Sequence, residues 1–253
     1  MRRAKSFAYV SAMAAVLCTA AQIHAAVIRV PIGSFLPATG LITFSEFTVG
    51  TVNPVYTPAT YGGGAGLPTV TFDGFFTGQA LGTVGTCPAG AAVTGCVVGA
   101  PTNPVALDAA SPNTVITNDL VTPTSPVLSG SPTFNGPISI FFSTDVYGVG
   151  LTGGFFDAIG GTSITAFNRQ GVNLGQVTNT GLGIEFLGLV TDTGLAQIAG
   201  LQFSLVGAEP FGFGIDNVRF GLPGQVTPPL PEPSVLALLA IGALGLCLTR
   251  RKR

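Results

Sequence analysis

The central part of the chain is predicted to be an all-β domain folded as an antiparallel β-sandwich. Outside the two ends, the sequence is rich in Gly, Thr, Val, Phe and Pro and poor in Glu, Lys, Met and Arg, so strong helix formers are scarce. Short apolar or alternating runs recur between Gly, Pro and Asn, which is typical of a sandwich or a barrel. This body, residues 26–229, has the length of one all-β domain.

The first residues have the parts of a secretory signal peptide. Basic residues at positions 2–5 precede an apolar stretch from 7 to 21, and Ala25 and Ala26 follow it. Small residues after an apolar stretch predict cleavage by signal peptidase after Ala25 or Ala26. Residues 1–25 are therefore assigned to the signal peptide.

Nine segments of the body carry the strand pattern. Two of them flank Arg169-Gln170-Gly171, which predicts a three-residue hairpin connection in which Gly171 supplies the positive φ. Phe141 breaks the alternation of another segment, which predicts packing on both faces of its sheet. The nine segments are Leu41–Phe47, Thr69–Phe76, Pro137–Phe142, Tyr147–Gly153, Ser163–Asn168, Val172–Val177, Gly183–Val190, Ile198–Val206 and Gly212–Phe220.

The stretch from 78 to 135 has few large apolar residues and is expected to be a long, exposed loop. It contains Cys87 and Cys96, the two cysteines of the body. In an exported chain, this spacing predicts a disulfide that closes the loop between them. A metal site would need four ligands, and two thiols without a nearby histidine do not supply them.

The body is acidic. It contains three basic side chains and ten Asp and Glu residues, which gives a formal charge of −7. The basic residues are Arg29, Arg169 and Arg219. Nucleic acids and anionic membrane surfaces need basic patches, so an acidic body argues against both as partners.

The inventory of catalytic side chains is small. His24 is the one histidine of the chain and leaves with the signal peptide, and the body has no Lys and no Trp. Ser-His-Asp and Cys-His catalysis, His-ligated zinc and Schiff-base lysines are therefore excluded. A paired-carboxylate glycosidase stays open, although no spacing singles out a pair among the ten acids. No catalytic residue is assigned, and the body is expected to be non-enzymatic.

The C-terminal residues 230–253 have three successive parts. An extended triplet comes first, because its two prolines cannot join a helix, and it is accessible to a processing enzyme. The apolar run to Thr249, 17 residues from Pro233, reaches about 25 Å as a helix, which is short but sufficient for a transmembrane helix. A terminal cluster of four cations fixes its end on the cytoplasmic side. The triplet is Pro231-Glu232-Pro233, and the cluster is Arg250, Arg251, Lys252 and Arg253.

In the order and spacing of these parts, the tail resembles a PEP-CTERM sorting signal, the bacterial cell-surface tag read by exosortase. The resemblance implies a Gram-negative cell that makes exopolysaccharide. It also implies an inner-membrane-tethered intermediate, exosortase cleavage at the Pro-Glu-Pro triplet, and delivery to the cell surface or the extracellular space. For the body it implies a non-enzymatic role in the surface matrix. The alternative is an ordinary C-terminal membrane anchor that is never cut.

Two acids near the ends of the body carry a second resemblance. Glu46, on the predicted strand Leu41–Phe47, and Asp216, on the last predicted strand, are placed as in jelly-roll-like sandwiches of carbohydrate-binding modules and related surface proteins. In several such families, acids at these places hold a structural calcium together with backbone carbonyls. The resemblance therefore implies a calcium site at Glu46 and Asp216. The alternative is that both are solvated strand residues, or that Asp216 caps a turn.

A carbohydrate-binding module with a defined glycan site is the second functional hypothesis, and a secreted hydrolase is the third. Without Trp, sugar stacking would fall to tyrosines or exposed phenylalanines. Tyr56 and Tyr61 precede the Gly62-Gly63-Gly64 run, so they are predicted to lie at a rim where they contact a glycan. Most phenylalanines of the body are expected to fill the core.

Overall fold

The computed structural model describes residues 26–120, 126–210 and 212–228. In these ranges the chain is all-β, and the strands pair in antiparallel fashion, which confirms the predicted fold class. The predicted signal peptide and the predicted C-terminal transmembrane helix lie outside the described residues. None of the described residues belongs to a helix that is long and apolar enough to cross a membrane.

The described residues contain fifteen strands and one short 3-10 helix, Ile32–Ser34. Eight of the nine predicted segments correspond to strands, with ends that differ by a few residues, whereas Leu41–Phe47 overlaps the strand Gly40–Ile42 only at positions 41 and 42. The other six described strands were not predicted. The strands are β1 (Val27–Arg29), β2 (Gly40–Ile42), β3 (Val55–Tyr56), β4 (Val70–Asp73), β5 (Gln79–Leu81), β6 (Val97–Gly99), β7 (Thr114–Thr117), β8 (Val127–Gly130), β9 (Ile138–Val146), β10 (Gly148–Phe156), β11 (Thr162–Phe167), β12 (Asn173–Thr178), β13 (Gly183–Thr191), β14 (Ile198–Leu205) and β15 (Gly214–Gly221).

Within the described ranges these strands form two main sheets. The larger sheet has seven strands in the order β1-β13-β10-β15-β8-β7, with β2 also paired to β15. The smaller sheet has six strands in the order β12-β11-β14-β9-β4-β3, and β5 pairs with β6 separately. From β9 to β15 the chain passes repeatedly from one sheet to the other, so most contacts join distant parts of the sequence.

The two sheets pack face to face around one apolar core. Leu151 and Phe220 of the larger sheet lie in the same buried cluster as Ile140 and Phe203 of the smaller sheet. The ring of Phe220 lies 5.2 Å from that of Tyr61 and 5.5 Å from that of Phe142. As expected for a body without Trp, phenylalanine rings fill much of this core.

A glycine makes room for one of these rings. Gly40 of β2 pairs with Phe220 of β15, and a Cβ atom at position 40 would lie 2.4 Å from the Phe220 ring. No side chain fits at that distance. Gly40 therefore sets how closely β2 can approach the aromatic centre of the core.

The described part of the stretch from 78 to 135 is largely outside strands and exposed or half-buried, as predicted, but it is not one continuous loop. It contains four strands, and its apolar residues cover the outer face of the smaller sheet. Phe76 and Val105 pack there against Phe167 of β11, with ring centroids of Phe76 and Phe167 5.7 Å apart. Phe141 packs against the same cluster, which confirms its predicted burial on the second sheet face.

The predicted disulfide is confirmed. Cys87 and Cys96 are bonded, with Cα atoms 6.0 Å apart. The loop between them is held to the segment after β14, because Ala92 N–H donates to Glu209 O at 2.9 Å and Glu209 N–H donates to Gly90 O at 3.1 Å. These hydrogen bonds thus join the disulfide-closed loop to the main sandwich.

The predicted hairpin at 169–171 is also confirmed. Strands β11 and β12 pair in antiparallel fashion, and Gly171 has a φ of +76°. Asn168 closes the turn by donating its N–H to Val172 O at 3.0 Å.

Candidate functional site

A cleft lies on the outer face of the larger sheet, where β10 and β15 run side by side. Thr152 and Asp216 are cross-strand partners there, and the neighbouring pair is Gly154 with Gly214. Both glycines line the cleft, and their neighbours approach closely: a Cβ atom at position 154 would lie 2.9 Å from Ile184 Cγ1, and one at position 214 would lie 3.5 Å from the Phe134 ring.

The walls of the cleft combine aromatic rings with carboxylates. Phe134 and Phe155 are partly exposed, and Asp119 and Asp216 also face the cleft. Val127 and Ile184 add further apolar surface to the lining. Partly exposed rings can pack against the apolar face of a sugar, and carboxylates accept hydrogen bonds from its hydroxyl groups. The cleft is small, with a volume of about 30 Å³, which is room for about one water molecule.

Asp216 is buried and rigidly oriented. Its two carboxylate oxygens accept hydrogen bonds from Asn217, one from the backbone N–H at 2.7 Å and one from Nδ2 at 2.8 Å. Asn217 has a φ of +50°, at the point where the pairing of β10 with β15 shifts register. The prediction that Asp216 lies on the last strand of the body is confirmed, and the structure places it in the cleft.

Glu46 is not on a strand, which corrects the sequence prediction. Strand β2 ends at Ile42, and Phe44, with a φ of +58°, turns the chain away from the sheet. One carboxylate oxygen of Glu46 accepts hydrogen bonds from Thr43, at 3.1 Å from N–H and 3.0 Å from Oγ1. The other, Oε2, is buried and has no hydrogen-bond partner among the described residues.

The contacts of Glu46 and Asp216 bear on the predicted calcium site. The free oxygen of Glu46 would suit a cation, but both oxygens of Asp216 already accept hydrogen bonds. The described residues contain no group of three Asp, Glu, His or Cys side chains placed to share a metal ion. A calcium ion there would need most of its six to eight oxygen ligands from backbone carbonyls and water.

Tyr56 and Tyr61 do not lie at a rim, so their predicted contact with a glycan is wrong. Tyr56 is fully buried, and its ring lies 5.8 Å from that of Phe72. Burial raises the pKa of its hydroxyl, and the nearby Glu46 carboxylate raises it further. Tyr61 donates its hydroxyl to Pro68 O at 2.6 Å, and burial raises its pKa to about 12. With no Trp available, the fold uses these large rings in the core.

Two other carboxylates are buried outside the cleft. Glu209 accepts hydrogen bonds from Asp157 N–H at 3.1 and 3.0 Å. Asp73 accepts them from Ser111 Oγ at 2.8 Å and Gly74 N–H at 2.9 Å. Burial raises the pKa of both carboxyl groups, although these donors favour the charged form. Since their oxygens are already bonded within the fold, both residues hold loops in place.

Little in the sequence indicates the cleft. Asp119, Phe134 and Phe155 come from three separate parts of the chain, and only the completed larger sheet brings them together. The one local signal is the run Gly153-Gly154-Phe155-Phe156, in which glycines precede aromatic residues within a strand.

The predicted sorting residues, 231–233 and 250–253, lie outside the described residues. The described body ends next to them. Thr227 donates its N–H to Ser34 O at 2.8 Å, only four positions before Pro231.

Comparison with solved structures finds a weak likeness to two variants of the catalytic domain of a GH87 alpha-1,3-glucanase, one in complex with nigerose and one with tetrasaccharides. The sequence identities are 13% and 12%, and the TM-scores are 0.26 and 0.23. Each match covers 68% of this chain and 30% of the glucanase chain. Likeness at this level carries no argument about fold or activity. No curated protein sequence matches the chain.

The C-terminal residues give a specific match. The family described as the PEP-CTERM protein-sorting motif matches residues 229–253, which include the Pro-Glu-Pro triplet, the apolar run and the basic end. This motif marks exported proteins that exosortase processes. The chain therefore carries a PEP-CTERM protein-sorting motif in its C-terminal residues.

Proposed function

We propose that this protein is a non-enzymatic component of the cell surface or extracellular matrix of a Gram-negative bacterium, associated with exopolysaccharide or biofilm. The sorting motif at 229–253 carries this proposal, because it determines where the body is delivered. The composition of the body supports it, since a body without His and Lys lacks the usual nucleophile and base pairs. The repeated passage of the chain between two antiparallel sheets supports a jelly-roll-like order of strands.

The proposed route begins with removal of residues 1–25 by signal peptidase. The C-terminal helix then tethers the chain in the inner membrane, with Arg250–Arg253 on the cytoplasmic side. Exosortase cuts at Pro231-Glu232-Pro233 and releases the body to the surface.

The described amino-terminal contacts favour cleavage after Ala25 over cleavage after Ala26. Ala26 N–H donates to Asp192 Oδ1 at 3.0 Å, and Asp192 N–H donates to Ala26 O at 2.8 Å. Cleavage after Ala25 would place the new ammonium group beside this carboxylate. Cleavage after Ala26 would remove both hydrogen bonds.

Replacing Pro231 and Pro233 together with alanine is expected to stop sorting. Without the two rings, the triplet can join the following helix and is no longer held extended for the processing enzyme. Fractionation of producing cells should find the variant uncut in the inner membrane and absent from the surface. The matched control replaces Pro228 and Pro229, which precede the triplet, and should be sorted normally. Normal surface delivery of the first variant would count against processing at the triplet.

Glycan binding in the cleft is the second candidate function, and it is favoured by the partly exposed rings of Phe134 and Phe155 beside Asp119 and Asp216. The purified protein is expected to bind one class of neutral glycan saturably on an array. Phe155→Ala should weaken that binding about tenfold, since one ring contact contributes roughly 1–1.5 kcal/mol.

The control for the cleft is Val84→Ala, because Val84 is an exposed apolar residue outside the cleft lining. Equal binding by both variants would assign any glycan affinity to another surface. Turnover of a glycan that a single Asp or Glu substitution abolishes would instead support the third hypothesis, a secreted hydrolase.

A structural calcium at Glu46 and Asp216 remains a separate proposal. The unpartnered Oε2 of Glu46 supports it, and the hydrogen bonds from Asn217 to Asp216 weigh against it.

A further inference from the structure

The last described residues of the body are held firmly to its amino-terminal segment. Val226 is buried and forms an antiparallel bridge with Phe35. On either side of it, Leu36 N–H donates to Gln225 O at 3.0 Å and Thr227 N–H donates to Ser34 O at 2.8 Å. The body is therefore folded up to Thr227.

The connection from this point to the predicted membrane segment is short. Ser234, the first residue after the Pro-Glu-Pro triplet, follows Thr227 by seven positions. Seven residues reach at most about 25 Å even when fully extended. A compact domain of roughly 200 residues has a radius of gyration of about 16 Å, and so a diameter of about 40 Å. Thr227 must then lie within about 25 Å of the membrane whenever Ser234 lies at its boundary, so the body cannot turn the surface around Thr227 away from the membrane.

The amino-terminal end of the body lies at the same end of the larger sheet. Val27 pairs with Thr191, and Ala26 bonds to Asp192. Both chain ends that lead to predicted membrane or export segments therefore leave the body from one side.

That side carries exposed apolar residues. We call it the tether face and define it by Ile32, Leu36, Leu195 and residues 223–228. Ile32, Leu36 and Leu195 have 48%, 40% and 59% of their surface exposed. A groove between Tyr147, Gly194 and Val226 runs through the same region. Exposed apolar side chains around the tether point are suited to contact with lipid.

The distribution of charged residues also favours contact with a lipid bilayer. Residues 30–45 and 220–231 contain no ionisable side chain, although the body carries a formal charge of −7. Anionic headgroups repel acidic surfaces, so an uncharged face is the part of an acidic body that can approach them. Two acids lie close to this face in sequence: Asp192 accepts the N–H of Ala26, and Asp145 is paired with Arg169.

We propose that the tether face contacts the bilayer surface while the protein is held in the membrane. The proposal rests on the membrane-tethered intermediate of the proposed function and adds the orientation of the body to it. The opposite end of the sheet supplies a comparison surface. Strands β10 and β13 have nine residues each, about 30 Å, so Ile159 and Leu182 lie far from the tether face.

The absence of Trp from the sequence allows a direct test. The full chain is reconstituted into phosphatidylcholine vesicles that contain brominated lipid, which quenches tryptophan at short range. One variant carries Ile32→Trp and another Leu195→Trp. The matched controls carry Leu182→Trp and Ile159→Trp, at residues that are exposed by 62% and 67%.

The fluorescence at positions 32 and 195 is expected to fall at least about twofold relative to vesicles without bromine, with little change at positions 182 and 159. Equal quenching at both ends, or none at either end of a chain that sediments with the vesicles, would overturn the proposal. A chain that does not sediment with vesicles would contradict the membrane tether itself, and the orientation with it. The two failures are thus distinguishable.

Discussion

Replacing Phe220 with alanine is expected to lower the free energy of unfolding of the body by about 3–5 kcal/mol, the usual cost of emptying a buried aromatic site. Phe220 is fully buried at the centre of the core, between the rings of Tyr61 and Phe142, and its neighbour Gly40 offers no side chain to fill the space. Urea unfolding followed by near-ultraviolet circular dichroism measures the loss.

The control is Leu182→Ala. Because Leu182 is exposed, this substitution should change the free energy of unfolding by less than about 0.5 kcal/mol. A loss below about 1 kcal/mol for Phe220→Ala would mean that the two sheets do not depend on this aromatic centre. The description of a core centred on the Phe220 ring would then be wrong.

The stability of the body is expected to decline as the pH rises from about 4.5 toward neutrality, and Glu209→Gln should reduce that decline. Burial raises the pKa of the Glu209 carboxyl above its ordinary value of 4.5, and the nearby Asp157 raises it further. The folded state therefore holds this proton at a pH where the unfolded state has released it. Its stabilising contribution is full below the unfolded pKa and is lost as the pH rises through the folded pKa. Each pKa unit of difference corresponds to about 1.4 kcal/mol.

Urea unfolding at pH 4.5, 5.5 and 7 measures the slope. Asp73, whose pKa is also raised by burial, should contribute a decline of the same sign that remains in the variant. Glu185 provides the matched control, because hydrogen bonds from Gly181 and Thr180 and the charge of Arg29 lower its pKa. Its contribution is lost only below the ordinary value of 4.5, so Glu185→Gln should leave the slope between pH 4.5 and 7 unchanged. An unchanged slope in Glu209→Gln would show that its carboxyl titrates alike in both states.

Local sequence patterns were sufficient for nine of the fifteen described strands and missed the short strands β1, β3, β5, β6, β7 and β8. The alternation around Ile138–Phe142 and the glycine at position 171 both act through near neighbours, so the strand and the hairpin could be predicted from short stretches. The disulfide was predictable for a similar reason, since the two cysteines of the body are close in sequence. Glu46 was assigned wrongly to a strand because the apolar pattern continues through Phe44, whose positive φ ends the pairing.

The cleft and the buried tyrosines depend on tertiary packing that no local pattern shows. Tyr56 lies shortly before the Gly62-Gly63-Gly64 run, which predicted a rim position, yet it fills core volume between Phe44 and Phe72. Asp119 and Phe134 reach the cleft only because β7 and β8 join the edge of the larger sheet. The sequence predicted one of the cleft residues, Asp216, from its place on the last strand.

The short linker connects the two parts of the protein. A body folded up to Thr227 and a cleavage triplet that begins at Pro231 leave little space between the sandwich and the processing enzyme. The orientation proposed for the tether face follows from the same distance. The folded end of the body would therefore have to leave the Pro-Glu-Pro triplet accessible to the processing enzyme.

The most direct test of the sorting claim is the intact mass of the protein isolated from the surface of cells that produce it. The expected mass is that of a chain that begins at Ala26, contains the Cys87–Cys96 disulfide and ends at or near the Pro-Glu-Pro triplet, without residues 234–253. A surface form that still contains residues 234–253 would contradict processing by exosortase.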